Sequence, residues 1–75
     1  MILPDKHVAL GRSLLGVGAV LLARLDRPRS VSALWELCRA DPLVGSYESF
    51  VLGLDLLFAA GAIKFRGARL MRSQV

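Results

Sequence analysis

The chain has 75 residues, enough for one core that hides about 60% of the surface an unfolded chain exposes. It is 55% hydrophobic with a mean hydropathy of +0.54, and it carries a net charge of +4. One cysteine and one histidine exclude an internal disulfide and a Cys/His metal centre.

The apolar fraction is more than a small isolated core readily hides. Either the chain is a densely packed mini-domain, or part of its apolar surface faces a partner. Eight of the ten cations are arginines. They form two groups: Arg24, Arg27 and Arg29 at a first turn, and Lys64, Arg66, Arg69 and Arg72 near the end. A basic balance suits nucleic acid, an acidic protein surface or a membrane face, and does not choose among them.

The first helix is expected to start near Asp5, an N-cap candidate after Pro4, and to run to about Leu25 before Asp26-Arg27-Pro28 stops it. Residues 13–23, SLLGVGAVLLA, resemble a signal-peptide core, but the run is too short to span a bilayer. No small-x-small cleavage site follows it. A cytoplasmic chain without a membrane segment is therefore expected. At helical spacing Leu14, Leu15, Gly18, Leu21, Leu22 and Leu25 share the expected core face. The opposite face holds Gly16, Val17, Val20, Ala23 and Arg24, small and apolar where a solvated helix carries charge. Gly16 and Gly18 each cost a helix roughly 1 kcal/mol against Ala. They make sense where another backbone approaches closely, whether a partner's or that of a neighbouring helix in the same domain.

A second helix is expected from the N-cap Ser30 to before Asp41-Pro42. Val31, Leu34, Trp35 and Cys38 follow the i, i+3, i+4, i+7 rule, so Trp35 reads as core and Cys38 as a small buried hydrophobe. The third helix starts at Ser46, with Glu48 in its first turn at the positive dipole end. Tyr47, Phe50, Val51, Leu54, Leu57 and Phe58 form its expected core stripe, and Gly61 is the expected residue just past its end. Residues 62–66 and 69–72 then alternate around Gly67, which suits a two-residue type II′ turn. That register pairs Phe65 with Leu70 on the core face and sets Arg66 opposite Arg69, beside Lys64. Like charges facing across a hairpin are destabilising. They suggest an anionic partner, or a solvated wing tip that keeps the sheet edge from aggregating.

Three helices followed by a basic hairpin are the layout of a winged helix-turn-helix, mainly α with a small β-hairpin, as one domain over residues 1–75. No catalytic constellation accompanies it. Glu36, Asp41 and Glu48 lack a convergent partner, no serine has a base in context, and Gly16-Val17-Gly18 lacks the Lys-Ser/Thr of a phosphate loop and lies within a helix. A non-enzyme without metal or cofactor is expected, and the contest is between a DNA reader and a protein adaptor. The third helix of a DNA reader carries Arg, Lys, Asn or Gln outward. Here the face opposite the expected core carries Glu48, Ser49, Leu52, Gly53, Asp55, Leu56, Ala59 and Ala60, with no cation. Leu52 and Leu56 make an apolar i, i+4 ridge suited to protein docking. The wing could still touch phosphates without sequence preference.

LPDKH (3–7), SLLGVGAVLLARL (13–25), RPRSVSALWEL (27–37) and SFVLGLDLLFAAGAI (49–63) occur in the order and spacing of a known family. Over almost its whole length the chain resembles the middle component, sixth type, of bacterial ABC-three-component systems. Each motif alone is common among winged helices; the combination carries the likeness. The resemblance implies a small winged-helix protein encoded beside a large SMC-like ABC ATPase and an effector, in systems resembling anti-phage or anti-plasmid defence. In such a system the middle component links the other two or helps the ATPase engage DNA. It supplies no catalytic residues. Related small winged-helix subunits pair with themselves, which implies a homodimer. The expected docking residues are Gly16, Val17, Val20 and Ala23 of the first helix with Leu52 and Leu56 of the third. The expected anionic contacts are Lys64, Arg66, Arg69 and Arg72. The alternative from another class is a free-standing winged-helix DNA-binding transcriptional regulator.

Overall fold

The structure, a computed structural model, describes residues 6–73, with side chains from residue 14 onward. The expected N-cap Asp5 lies outside the described residues. Helix α1 spans Lys6–Arg24, α2 Val31–Cys38 and α3 Tyr47–Ala59. Strands β1 (Ile63–Arg66) and β2 (Arg69–Arg72) form an antiparallel hairpin. This is a winged-helix layout, as the sequence predicts.

Local chemistry sets each boundary. The Ser30 hydroxyl accepts the Ala33 amide at 3.1 Å and starts α2. The Ser46 hydroxyl accepts the Ser49 amide at 3.1 Å and starts α3. Helix α3 ends in a Schellman motif: the Gly61 amide donates to Phe58 O at 3.0 Å and the Ala62 amide to Leu57 O at 2.9 Å. That motif needs a left-handed residue just past the helix, and Gly61 has φ +72°. The hairpin register is Ile63↔Arg72, Lys64↔Met71, Phe65↔Leu70 and Arg66↔Arg69. Gly67 has positive φ and Ala68 does not, which selects the type II′ turn over type I′.

A third segment joins this sheet. Arg29 donates its amide to Leu70 O at 2.9 Å, and Leu70 donates back to Arg29 O at 2.6 Å. Strand β2 therefore lies between β1 and the loop that links α1 to α2. The exchange ties residues 41 apart in sequence and closes the wing against the helical body.

The core consists of Val17, Leu21, Leu25, Leu34, Cys38, Val44, Phe50, Leu54, Leu57, Ile63 and Leu70. Each fully buried Leu or Phe contributes about 1.5–3 kcal/mol from removal of its surface from water. Two helices are turned relative to the expected faces. On α1, Val17 is 2% exposed while Leu15 is 66% exposed. On α3, Gly53 is buried, and Tyr47, Val51 and Phe58 are exposed. In each case the buried stripe has shifted by about half of the 100° between successive residues.

Gly53 supplies the physical reason. A Cβ at this position would lie 2.5 Å from Val17 Cγ1 and 3.3 Å from Val17 Cβ. The missing side chain lets α1 come close with Val17 seated against the α3 backbone. Gly18 supports the same joint, since a Cβ there would meet Leu57 Cδ2 at 3.3 Å. The close approach read from Gly18 is thus made by a helix of the same chain. Gly16 differs, with nothing within 4 Å of its would-be Cβ.

The two glycines should respond oppositely to alanine. Gly53→Ala gains about 1 kcal/mol of helix propensity but forces apart a stiff β-branched contact, so a net loss of about 1–2 kcal/mol is expected. Gly16→Ala should stabilise by up to about 1 kcal/mol. Urea unfolding of both variants checks this, and a stabilising Gly53→Ala would refute the close contact. Val17→Ala combined with Gly53→Ala should cost less than the sum of the two single changes.

Candidate functional site

The outward surface of α3 is apolar and acidic. Tyr47, Val51, Leu52, Phe58 and Ala59 are exposed there together with Glu48 and Asp55, and the helix contains no basic residue. The apolar material continues onto the wing. Phe65, 53% exposed, stacks on Phe58 with ring centroids 5.3 Å apart and planes at 27°. Phe65 sits on the inner side of the hairpin, as its pairing with buried Leu70 requires, but it reaches past the edge of the core. At the other end, Tyr47 meets Trp35 edge-on at 5.1 Å, and both rings approach Phe50. Trp35 packs on the core as expected, and the Arg39 guanidinium lies 5.9 Å from its ring centroid.

The arginines divide by what they touch. Arg72 pairs with Ile63 and so lies on the inner side of the hairpin, opposite to Lys64, Arg66 and Arg69. Its Nε donates to Leu22 O at 2.9 Å, and its Nη2 donates to the same carbonyl. The Leu22 carbonyl also accepts the Leu25 amide at 3.1 Å, and a cation at the carboxyl end of α1 adds charged donors to it and complements the helix dipole. Arg72, expected among the anionic contacts, is thus engaged with the end of α1 from the inner side of the hairpin. Arg29 acts similarly, donating from Nε to Arg24 O at 2.8 Å and from Nη2 to Asp26 Oδ1 at 2.9 Å. That hydrogen bond, with the nearby positive charge, holds the Asp26 carboxyl below its ordinary value. Among the described residues Arg27, Lys64, Arg66 and Arg69 are exposed and form no salt bridge.

Arg27 and Arg69 line one groove with Pro28, Arg29, Ser30 and Ala33. An adjoining groove is lined by Pro28, Arg66, Ala68 and Arg69. Two arginine groups that are distant in sequence therefore meet across Pro28. Cys38 is fully buried, and burial raises its thiol, which keeps it protonated and unreactive. Among the described residues no cluster of His, Cys, Asp and Glu could hold a metal, and no helix is long and apolar enough to cross a membrane.

Compared with known protein families, residues 3–72 match the ABC-three component (ABC-3C) system Middle Component 6. The chain belongs to this family. No curated protein and no solved structure matches this middle component.

Placed on the fold of the middle component, the residues expected to dock partners separate. Val17 is core, because Gly53 leaves room for it, and cannot meet a partner. Val20 is half-buried and packs against the core. Gly16 is half-buried but open beside its backbone, and Ala23 is exposed. Leu52 is exposed, whereas Leu56 is half-buried at the joint with Gly18. Gly53, expected on the outer face, is inside. Exposed outside the expected set are Tyr47, Val51, Phe58 and Phe65 on the apolar strip and Arg27 beside the wing. A glycine within an otherwise apolar helix is the signal that could have exposed the strip.

Two measurements test these assignments. Arg72→Leu should lower unfolding stability by about 1 kcal/mol through loss of the charged donors to the Leu22 carbonyl. The folded Asp26 carboxyl is depressed, so its pairing stabilises above the unfolded value and is lost as pH falls through the folded one. Asp26→Asn should therefore lower the thermal midpoint at neutral pH, and the gap should close in acid.

Proposed function

We propose that this middle component is a non-catalytic adaptor that links an SMC-like ABC ATPase to an effector within a bacterial anti-phage or anti-plasmid defence complex in the cytoplasm. The observation that carries this reading is the outer surface of α3. A helix placed in a major groove needs donors along its exposed side. This one offers Tyr47, Val51, Leu52 and Phe58, flanked by Glu48 and Asp55. Two carboxylates oppose a phosphate backbone, while an exposed apolar strip extended by Phe65 suits a protein partner.

Leu52, Val51 and Phe58 form the main docking surface in this reading, with Leu56 supporting it from the α1 joint. Gly16 and Ala23 on the open back of α1 form a second contact. Lys64, Arg66 and Arg69 of the wing meet an anionic surface without reading sequence. A free-standing transcriptional regulator would have to read bases through a helix without hydrogen-bonding cations, so the adaptor reading is favoured. Two copies of the chain in the assembly fit this reading, and native mass measurement of the complex would count them.

The test is co-purification of a tagged middle component with the ATPase encoded beside it. Val51→Asp with Leu52→Asp should abolish recovery of the ATPase, with the thermal midpoint of the isolated variant largely kept. Undiminished recovery would sink the docking assignment. Tight, sequence-specific DNA binding by the isolated wild type would favour the regulator instead.

A further inference from the structure

The sequence separates the cations into two groups, and the Arg29–Leu70 exchange brings them together. Arg27 from the α1–α2 loop and Arg69 from β2 line the same groove, and Arg66 continues it around Pro28. These three arginines come from separate elements, are exposed, and make no salt bridge among the described residues. Arg66 and Arg69 also face each other across the hairpin, an arrangement that is unfavourable without a counter-charge. The nearest carboxylate of the loop, Asp26, is already held by Arg29. The positive potential of the groove therefore remains uncancelled.

We infer that Arg27, Arg66 and Arg69 form one track for the phosphodiester backbone of duplex nucleic acid, centred on Pro28 and used without base readout. This deepens the reading of the wing as an anion contact and rests on it; what it adds is the loop arginine and the class of partner. Three features favour phosphate over an acidic protein. All three cations are arginines, whose planar forks match phosphate oxygens in pairs. The groove is lined by Arg, Pro, Ser and Ala without a large apolar anchor, whereas protein interfaces concentrate their energy on buried aromatic and aliphatic anchors. Among the described residues the large exposed apolar side chains, Leu15, Leu37 and Leu43 as well as those of α3 and Phe65, all lie outside the lining of this groove. The start of α2, at Ser30 and Ala33, adds its positive dipole end to the same groove.

Fluorescence anisotropy of the full chain with two unrelated short DNA duplexes, titrated over a range of salt, tests the track. Both duplexes should bind alike. Three phosphate contacts predict a log–log salt slope near −2.7, a loss of roughly 40-fold between about 50 and 200 mM salt. Arg27→Gln should weaken binding several-fold and flatten the slope by about 0.9, as Arg69→Gln does, with circular dichroism unchanged. Loss of binding in Arg66→Gln and Arg69→Gln but full binding in Arg27→Gln would overturn the shared track and leave the wing contact standing. Binding indifferent to all three changes, or absent at low salt, would overturn both. Poly-glutamate competing as well as duplex at equal charge would reassign the groove to an acidic protein.

Discussion

The contact between Val17 and the bare backbone of Gly53 sets the rotation of two helices at once. A side chain at position 53 could not coexist with Val17 Cγ1 at its present position, so the absence of a Cβ is what allows α1 to lie against α3. Once Val17 is seated, Leu15 must leave the core and Val51, Tyr47 and Phe58 must move to the rim. Part of the apolar excess of the composition thus has a definite place. It is spread along one strip of α3 and extended by the Phe58–Phe65 stack, while Leu15, Leu37 and Leu43 are exposed on other elements.

The second constraint is the reciprocal hydrogen-bond pair between Arg29 and Leu70. It carries the wing onto the end of α1 and brings Arg72 within reach of Leu22 O, while Arg29 closes on Arg24 O and Asp26. Two guanidiniums are thereby spent on the carboxyl end of one helix, where carbonyls lack intrahelical donors. A chain with many arginines need not direct them all at a ligand. Arg29 and Arg72 hold the loop and wing in place, and that placement leaves Arg27, Arg66 and Arg69 facing outward together.

Local rules were legible along the chain. Ser30 and Ser46 cap helices, Gly61 ends α3 and Gly67 turns the hairpin in the expected register, because each depends on a few neighbouring residues. The phase of the helices was not legible. In a segment such as YESFVLGLDLLFA apolar residues occur nearly all round, so periodicity alone leaves the buried stripe broad, and a glycine that periodicity places on the outer face decides the matter. The role of Arg72 could have been read from strand alternation, since it shares a face with Ile63, Phe65 and Leu70. The meeting of Arg27 with Arg69 could not, because it depends on a bridge spanning 41 residues.

The separation of surfaces also constrains how a polyanion and a protein could be held together. Glu48 and Asp55 lie on the same helix as the apolar strip, and the unpaired arginines lie on the loop and wing. A phosphate backbone approaching α3 meets like charge in high dielectric, worth about 1 kcal/mol per close contact at most, yet it meets three cations around Pro28. The preference is modest for one phosphate and accumulates along a strand. Such a field would favour the loop and wing over α3 as the part of the chain that meets a polyanion. The helix that usually reads bases in this fold would then be left open to a protein partner, so both occupants could be held at once without competing for the same residues.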